Sequence, residues 1–262
     1  MIDKILSKAS PVYGFCAFEK IKDSLIDCRA KSKLPENPQS VIVLLFPYYL
    51  GDNSYTDSDI SKYAVVPDYH NTITEILSAT SQDLKMAYPE DEFIVFTDNS
   101  PIPEVKAAVS AGLGVRGLNG LFINKTYGSW VFIGEIVTTK SLDCQNIEES
   151  VCIGCQKCID ACPTKAISNN GINTEKCLSA ITQRKGSLTE EEENLIKSTG
   201  CAWGCDICQN VCPMNKNTKV DPLDIFKSGV ELKARTDSDI SGRAYAWRGE
   251  KIIKRNLEIL NK

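Results

Sequence analysis

The sequence contains few of the residues on which the commonest enzyme chemistries depend. There is one histidine among 262 residues, and neither an H-E-x-x-H zinc motif nor a G-x-x-x-x-G-K-[ST] phosphate-binding loop occurs. Zinc proteolysis and P-loop nucleotide hydrolysis are therefore unsupported. Long apolar runs are also lacking, since the longest, from Val41 to Leu50, has ten residues and contains Pro47. A membrane-spanning helix needs about twenty apolar residues.

An excess of positive charge is lacking as well. The net charge is −4 with a pI near 5.3, so no global basic field exists to attract nucleic acid, and such a contact would need a local patch. The N-terminal MIDKILSKASPVYGF has charged residues where a signal peptide needs an apolar stretch. Apolar residues make up 42% and charged residues 24%, which is ordinary for globular proteins. We expect a soluble cytoplasmic protein without membrane association.

Cysteine is the residue in excess, with twelve in the chain. Cys16, Cys28 and Cys144 stand apart and are expected to be ordinary small apolar residues. The other nine fall within the 61 residues from Cys152 to Cys212. A secreted disulfide scaffold would be shorter, with its cysteines spread along the chain, so the pattern predicts metal binding.

Two cysteine runs each end in Cys-Pro, at Pro163 and Pro213. The first is the C-x2-C-x2-C-x3-C-P run of two-cluster ferredoxins, in which the last cysteine serves the other cluster. Paired C-x2-C motifs also bind zinc, but the prolines and the lack of a nearby histidine disfavour it. The spacing predicts two 4Fe-4S clusters. One cluster is assigned to Cys152, Cys155, Cys158 and Cys212, and the other to Cys162, Cys205 and Cys208 with either Cys177 or Cys201.

Periodicity predicts an α+β or α/β domain ahead of the cysteines. Apolar runs at 41–46 and 93–97 predict buried strands, and 121–123 and 130–138 predict two more. Helices are predicted between the first two strands, after Pro103, and near the acidic residues 190–197. The predicted domains are 1–143, a ferredoxin-like two-cluster domain at 144–220, and a tail at 221–262 that packs back on the body.

Two segments of the first domain are candidates for function. Asp98 follows a buried strand, and open α/β sheets bind ligands at that edge. A bulky cofactor would desolvate this carboxyl and raise its pKa, although a capping or turn residue is the alternative. His70 by itself is expected to be a hydrogen-bonded structural residue. The glycine-rich segment 112–120 indicates close approach of the backbone to a large flat ligand, or a tight connection.

The tail differs from the body in charge. Residues 243–262 carry six basic and two acidic side chains, a net charge of +4. Ile252, Ile253, Leu257 and Leu260 follow helical spacing, which predicts a helix with one apolar face. We expect this face to dock on the body, and a basic strip facing nucleic acid is the alternative.

The order of motifs resembles one family. DYH, TDNSP, AGLGVRGLNGLFIN, GSWVFIGEI and the double cluster run in the order found in cobalamin-dependent epoxyqueuosine reductases, from about residue 41 to 215. The resemblance implies a cobalamin-binding α/β domain followed by the cluster domain, in a short form without the C-terminal helical-repeat domain that grips tRNA in many members. This chain departs from the family at Arg116 and Leu118, where members usually have other residues, including a lysine.

The resemblance also implies roles for individual residues. Cys177 matches the family's isolated cysteine and becomes the eighth cluster ligand, and Asp98 becomes the proton donor. Residues predicted to contact cobalamin are Tyr63, Asp68, His70, Asn119, Ser129 and Ser179. The implied activity is reduction of epoxyqueuosine in tRNA to queuosine, with electrons from a low-potential donor such as ferredoxin or flavodoxin. The alternatives are a cobalamin-dependent reductase of a small molecule or corrinoid protein, and a two-cluster electron carrier without cobalamin.

Overall fold

The computed structural model describes residues 1–145, 147, 150–236 and 239–262. The chain forms two compact units, and neither is continuous in sequence. The first comprises Met1–Pro47, Tyr69–Gly117 and Leu121–Cys152, and the second comprises Tyr48–Asp68, Leu118–Gly120 and Ile153–Lys262. Residues 48–68 thus group with the cysteine-rich unit although they lie far from it in sequence. The predicted division at 143 and 220 stays a prediction.

Helices and short strands surround one larger sheet. The α-helices in the described residues are α1 (Ile2–Ala9), α2 (Lys62–Val65), α3 (Tyr69–Ala87), α4 (Glu104–Ser110), α5 (Lys157–Ala161), α6 (Leu178–Gln183), α7 (Glu190–Thr199), α8 (Ile207–Asn210), α9 (Asp224–Lys227) and α10 (Glu250–Leu260). The strands are β1 (Val12–Ala17), β2 (Ser40–Pro47), β3 (Phe93–Phe96), β4 (Val115–Arg116), β5 (Phe122–Ile123), β6 (Val131–Thr138), β7 (Ile167–Ser168) and β8 (Gly171–Ile172). Among these helices, none is long and apolar enough to cross a membrane.

A four-stranded sheet with the order β1-β2-β6-β3 forms the centre of the first unit. Every pairing in it is antiparallel, and every residue of β2 is buried. The continuous apolar run predicted to be a buried strand is confirmed. The fold of this unit is therefore α+β. Because no neighbouring strands in this sheet pair in parallel, the rule for the carboxyl edge of parallel sheets does not explain the position of Asp98.

Helix α3 packs on this sheet through the apolar positions that predicted it. Ile73 and Leu77 are fully buried, and both lie beside Gly134 of β6. A Cβ at Gly134 would be 2.8 Å from Leu77 Cδ1 and 2.9 Å from Phe46 Cε2. Glycine at this position therefore lets the helix approach the strand closely. The 19-residue helix begins at Tyr69, and its first turn reaches the end of β3.

The second unit has its own core, which includes the tail helix. Ile259 of α10 packs with Leu178, Ile181 and Ile196. The side chain of Asn256 is fully buried and donates to the carbonyl oxygens of Thr182 and Ala202, each over 2.7 Å. In the structure, α10 thus packs its apolar side against residues of α6 and α7. Helix α7 begins with a capping box between Thr189 and Glu192, which satisfies its first backbone N–H groups.

The glycine-rich segment forms a tight connection. A Cβ at Gly114 would be 2.2 Å from the carbonyl oxygen of Ile123 and 2.7 Å from the Phe122 ring. Gly112 has φ +75° and Gly120 has φ +78°, a region that favours glycine. Of the two interpretations of this segment, the structure favours the tight connection at Gly114, because the neighbouring group there is the protein's own backbone.

Gly114→Ala is therefore expected to destabilise the protein by about 1–3 kcal/mol, a typical effect of overpacking. The new methyl group would collide with a backbone carbonyl, which cannot move away as a flexible side chain can. Urea unfolding under anaerobic conditions measures the change in free energy. Gly242→Ala is the matched control, since a Cβ there would meet no atom within 4 Å. Equal effects of the two substitutions would contradict this account of the segment.

Candidate functional site

Asp98 lies two residues after β3, in a loop with an uncommon backbone conformation. Its φ is +48° and that of Asn99 is +35°, so two consecutive non-glycine residues occupy the left-handed region. Aspartate and asparagine tolerate this region better than most residues, but each still costs about 1–2 kcal/mol. The Asn99 N–H donates to Asp98 Oδ1 over 2.7 Å, which stabilises the loop locally. Such strain at a polar residue marks a candidate functional position.

Two side chains from the first turn of α3 surround the other oxygen of this carboxylate. Tyr69 Oη donates to Asp98 Oδ2 over 2.9 Å, and His70 Nε2 lies 2.8 Å from the same oxygen. The Tyr69 ring stacks on His70 at 4.0 Å and on Phe132 of β6 at 4.2 Å between centroids. This stacking holds the side chains of Tyr69 and His70 in place beside Asp98. The structure therefore brings Asp98 and His70 together. It also places Tyr69 on the same carboxylate, a residue for which the sequence analysis predicts no role.

The hydrogen bonds hold Asp98 in its ionised form. The bond to His70 is the main cause that lowers the pKa of Asp98 to about 2; burial opposes it, while the Asn99 N–H and Tyr69 assist. This direction is opposite to the raised pKa expected from desolvation alone. The difference arises because three donors converge on one carboxylate whose side chain is still 52% exposed. The carboxylate of Asp98 therefore accepts hydrogen bonds in this arrangement, and His70 is the neighbouring side chain with a titratable proton.

The carboxylate borders a cavity of about 180 Å³ in the first unit. Its polar side chains include Tyr69, Asp98, Glu104 and Ser129, and the rest of the lining is largely apolar, as at Phe132. Burial and the nearby Asp98 charge raise the pKa of Glu104 to about 7. A cavity with a polar end and an apolar wall suits a small ligand with one reacting polar group.

Glu104 and Glu135 are functional candidates that sequence reasoning missed. Glu135 lies on β6 directly opposite Phe96, and it is fully buried. Burial, with the Glu104 charge, raises its pKa well above the usual range. The available signal was a lone acidic residue in the otherwise uncharged strand 131–138. Glu104 carries no such signal, because an acid in the first turn of a helix is ordinary.

In the second unit, cysteines from three segments share one small core. Cys158, Cys162, Cys177 and Cys208 pack around Ala166 and Ile167. The sulfur of Cys162 accepts the Ala166 N–H over 3.3 Å, a type of bond that stabilises a thiolate. The short helices α5 and α8, which carry Cys158 and Cys208, pack against each other. This arrangement brings both Cys-Pro runs to the same region of the unit.

The sulfur atoms predicted for the second cluster lie close enough to repel one another as thiolates. Burial is the main cause that raises the pKa of Cys205 to about 11, and the charges of Cys177 and Cys162 contribute. Burial likewise raises the pKa of Cys208 to about 12, with contributions from Cys205 and Cys177. Such buried thiols give up their protons when a metal centre supplies compensating positive charge. The donor set therefore fits an iron-sulfur cluster.

The structure favours Cys177 over Cys201 as the remaining ligand, and this assignment stays a prediction. The Cys201 thiol donates to the carbonyl oxygens of Trp203, at 3.2 Å, and Gly204, at 3.4 Å. Burial raises its pKa to about 12, as it does for Cys208, so the two backbone carbonyls and not the pKa distinguish Cys201. A thiol that satisfies two backbone carbonyls has a structural role. Within the described residues, no group of three or more His, Cys, Asp or Glu side chains is placed for a single metal ion.

The four cysteines assigned to the first cluster are partly or fully accessible. Cys152 belongs to the first unit, where its N–H donates to the Arg116 carbonyl over 2.9 Å. Cys155, Cys158 and Cys212 belong to the second unit, and Cys155 is exposed. Their joint ligation of one cluster stays a prediction.

The residues predicted to contact cobalamin are distributed over both units. His70 and Ser129 lie in the first unit, where Ser129 lines the cavity described above. In the second unit, Tyr63 Oη accepts from Trp203 Nε1 over 2.8 Å, and Asn119 donates to the sulfur of Cys208.

Asp68 and Ser179 complete this predicted set, and both are half-buried. The Asp68 N–H donates to the Gly242 carbonyl over 2.9 Å, and Ser179 Oγ accepts from Gln183 over 3.3 Å. Hydroxyl, amide and carboxylate side chains suit the amide groups at the edge of a corrin ring, so the donor chemistry fits cobalamin. The contacts themselves stay predictions.

Comparison with known proteins identifies two matching families. Residues 151–215 match the 4Fe-4S double cluster binding domain, and residues 29–99 match the family described as Epoxyqueuosine reductase QueG, DUF1730. An epoxyqueuosine reductase from Cyclobacterium marinum is 34% identical over 230 residues, which cover 86% of this chain and 72% of the relative. The chain belongs to the epoxyqueuosine reductase family. The predicted α+β fold with a double 4Fe-4S module is thereby confirmed.

Further members of the family agree in fold and differ in length. An epoxyqueuosine reductase from Lactococcus garvieae is 33% identical over 217 residues, and the match covers 78% of this chain and 61% of that relative. A crystal structure of epoxyqueuosine reductase with an epoxyqueuosine-modified tRNA stem loop superposes with a TM-score of 0.81 at 23% identity. That match covers 99% of this chain and 79% of the solved one, and it shows the common fold.

Proposed function

We propose that this protein reduces epoxyqueuosine in tRNA to queuosine, using two 4Fe-4S clusters and cobalamin. The observation that carries the proposal is the carboxylate of Asp98, held by His70 and Tyr69 at the edge of a cavity of about 180 Å³. Membership in the epoxyqueuosine reductase family and the match of residues 151–215 to the double cluster domain support it. The solved relative that binds the modified stem loop supports tRNA as the substrate.

The reaction defines what the site residues have to do. Conversion of an epoxide to an alkene takes up two electrons and two protons and releases the oxygen as water. Asp98 and His70 share a hydrogen bond through which a proton can be held beside the reacting oxygen. Tyr69 offers a second donor to the same carboxylate, and apolar residues such as Phe132 form much of the remaining lining of the cavity.

The cofactors carry the electron transfer, and the protein holds them. Cys162, Cys177, Cys205 and Cys208 would hold one cluster, and Cys152, Cys155, Cys158 and Cys212 the other. When bound, the clusters transfer single electrons, and cobalamin supplies a low-potential cobalt centre for cleavage of carbon–oxygen bonds. Exposure of Cys155 suits entry of electrons from a low-potential donor such as ferredoxin or flavodoxin. We place the reaction in the cytoplasm, where cysteines remain reduced.

Complementation tests this function in cells. A bacterial strain that lacks its own epoxyqueuosine reductase accumulates epoxyqueuosine in its tRNA, and expression of this chain is expected to restore queuosine. Mass spectrometry of nucleosides from digested tRNA measures the conversion, with the empty vector as control. Persistence of epoxyqueuosine, although the expressed protein retains about eight irons and cobalt on gel filtration, would contradict the proposal.

A further inference from the structure

Two further acids of the first unit lie near Asp98, the half-buried Glu104 and the fully buried Glu135. The carboxylate of Glu104 lines the same cavity as Asp98 and accepts the backbone N–H of Asp98. Glu135 is fully buried; the Ser100 side chain is near enough to lower its pKa, but neither carboxylate oxygen meets full hydrogen-bond geometry with a described residue. A fully buried acid with only this weak polar support is expensive to ionise, so its presence needs an explanation beyond packing.

The charged and titratable groups that face Glu104 come from three elements. His70 on α3, Asp98 in the loop after β3, and Glu135 on β6 all influence it electrostatically. Burial and the Asp98 charge raise the pKa of Glu104 to about 7, while His70 opposes this increase. Lys106, the basic residue on the same helix, bonds Ser24 instead. Since neighbouring buried carboxylates cannot all ionise, the set of Glu104 and Glu135 retains at least one proton at neutral pH.

We propose that Glu104 supplies the proton that restores the Asp98–His70 pair during turnover, and that Glu135 keeps a proton available at Glu104. This inference rests on the proposed function, whose reaction consumes two protons and two electrons for each epoxide converted to an alkene and water. The first proton passes from the pair to the leaving oxygen. The Glu104 carboxyl then gives its proton to the pair, and the resulting carboxylate takes one from solvent. The electrons come from the low-potential donor through the clusters.

The cavity provides the route for this transfer. Asp98 and Glu104 both line it, and its volume of about 180 Å³ exceeds that of several water molecules, each of which occupies about 30 Å³. A water molecule between two carboxyl groups can pass a proton in either direction. Glu104 therefore acts on the pair through the cavity and is distinct from the residues proposed to face the substrate oxygen.

Glu104→Gln tests the proposal in the cluster- and cobalamin-loaded protein with epoxyqueuosine tRNA. Glutamine keeps the acceptor for the Asp98 N–H but carries no transferable proton. We expect kcat to fall by about 10- to 100-fold in Glu104→Gln, with KM unchanged. The activity of the wild type should decline above about pH 7 as Glu104 loses its proton, and this decline should be absent from Glu104→Gln. Glu104→Asp, which retains an acid, should recover much of the rate. The exposed Glu90→Gln is the control and should match the wild type in kcat and pH profile.

Infrared difference spectroscopy of the cluster-containing protein gives a readout that does not depend on turnover. As the pH rises from about 6 to about 8, the infrared band of a protonated carboxyl group should disappear from the wild-type spectrum. Glu104→Gln should lack this band at both pH values. The same loss in both proteins, or an unchanged kcat and pH profile in Glu104→Gln, would overturn the proposal. A wild type that shows the band but does not convert epoxyqueuosine would instead contradict the proposed function.

Discussion

Cys205→Ser is expected to retain about four irons per chain instead of about eight. Cys205 lies close to Cys162, Cys177 and Cys208 in the second unit, and the loss of one thiolate from this set leaves the cluster without a complete ligand shell. A serine oxygen is a poorer ligand for the thiophilic irons of a cluster. Iron and sulfide analysis after anaerobic reconstitution and gel filtration measures the effect. Reduction of epoxyqueuosine should fall in parallel, because electron delivery is interrupted.

Cys201→Ser is the matched control for this prediction, four residues away in the same unit. The Cys201 thiol donates to two backbone carbonyls, and a serine hydroxyl can make the same bonds. We therefore expect about eight irons in this variant. The opposite pattern, with iron lost from Cys201→Ser and retained in Cys177→Ser, would contradict the assignment of Cys177 as the remaining ligand.

Asp98→Asn is expected to lower kcat by at least about 100-fold while both clusters remain reducible. Asparagine preserves the size of the side chain and tolerates the left-handed backbone, but it cannot hold a proton or pair with protonated His70. Nucleoside mass spectrometry measures the rate, and dithionite titration of the visible spectrum measures cluster reduction. The exposed Asp23→Asn is the control. Turnover that survives in Asp98→Asn would remove Asp98 from the proton-donating role.

Asp98→Asn should also change how the free energy of unfolding depends on pH. The pKa of Asp98 is lowered to about 2 in the folded protein, mainly by the bond to His70, from an ordinary value near 3.8. Asp98 therefore contributes stability that is present above about pH 4 and is lost as the pH falls through about 2. The difference in free energy of unfolding between wild type and Asp98→Asn should shrink across this interval. A difference that stays constant would mean that the carboxylate is not held by its partners.

The strands and helices could be predicted because each depends on a local pattern. The fully apolar β2 and the stripe of Ile73, Leu77 and Leu84 on α3 are readable from single segments. The clusters could be predicted as well, because cysteine spacing reflects the geometry of the cluster itself. The grouping of residues 48–68 with the cysteine-rich unit could not be read from sequence, since it depends on contacts with residues that are more than a hundred positions away.

The site was predicted only in part, for reasons that are also physical. Asp98 was identified, but the argument from parallel strands does not apply to an antiparallel sheet, and its pKa is lowered rather than raised. The direction depends on His70 and Tyr69, which reach the carboxylate only in the folded chain. Glu104 and Glu135 were missed because an acid becomes functionally significant through burial, and burial is a tertiary property.

Anaerobic incubation of the purified protein with epoxyqueuosine-containing tRNA and a low-potential electron donor tests the proposed reduction directly. Reactions with and without added cobalamin are digested and analysed for nucleosides by mass spectrometry. We expect conversion of epoxyqueuosine to queuosine that requires cobalamin and is lost in Asp98→Asn. The same reactions are run with the free nucleoside as substrate. If the clusters are fully reduced and cobalamin is bound, but epoxyqueuosine stays unchanged in both substrates, the proposed function is contradicted.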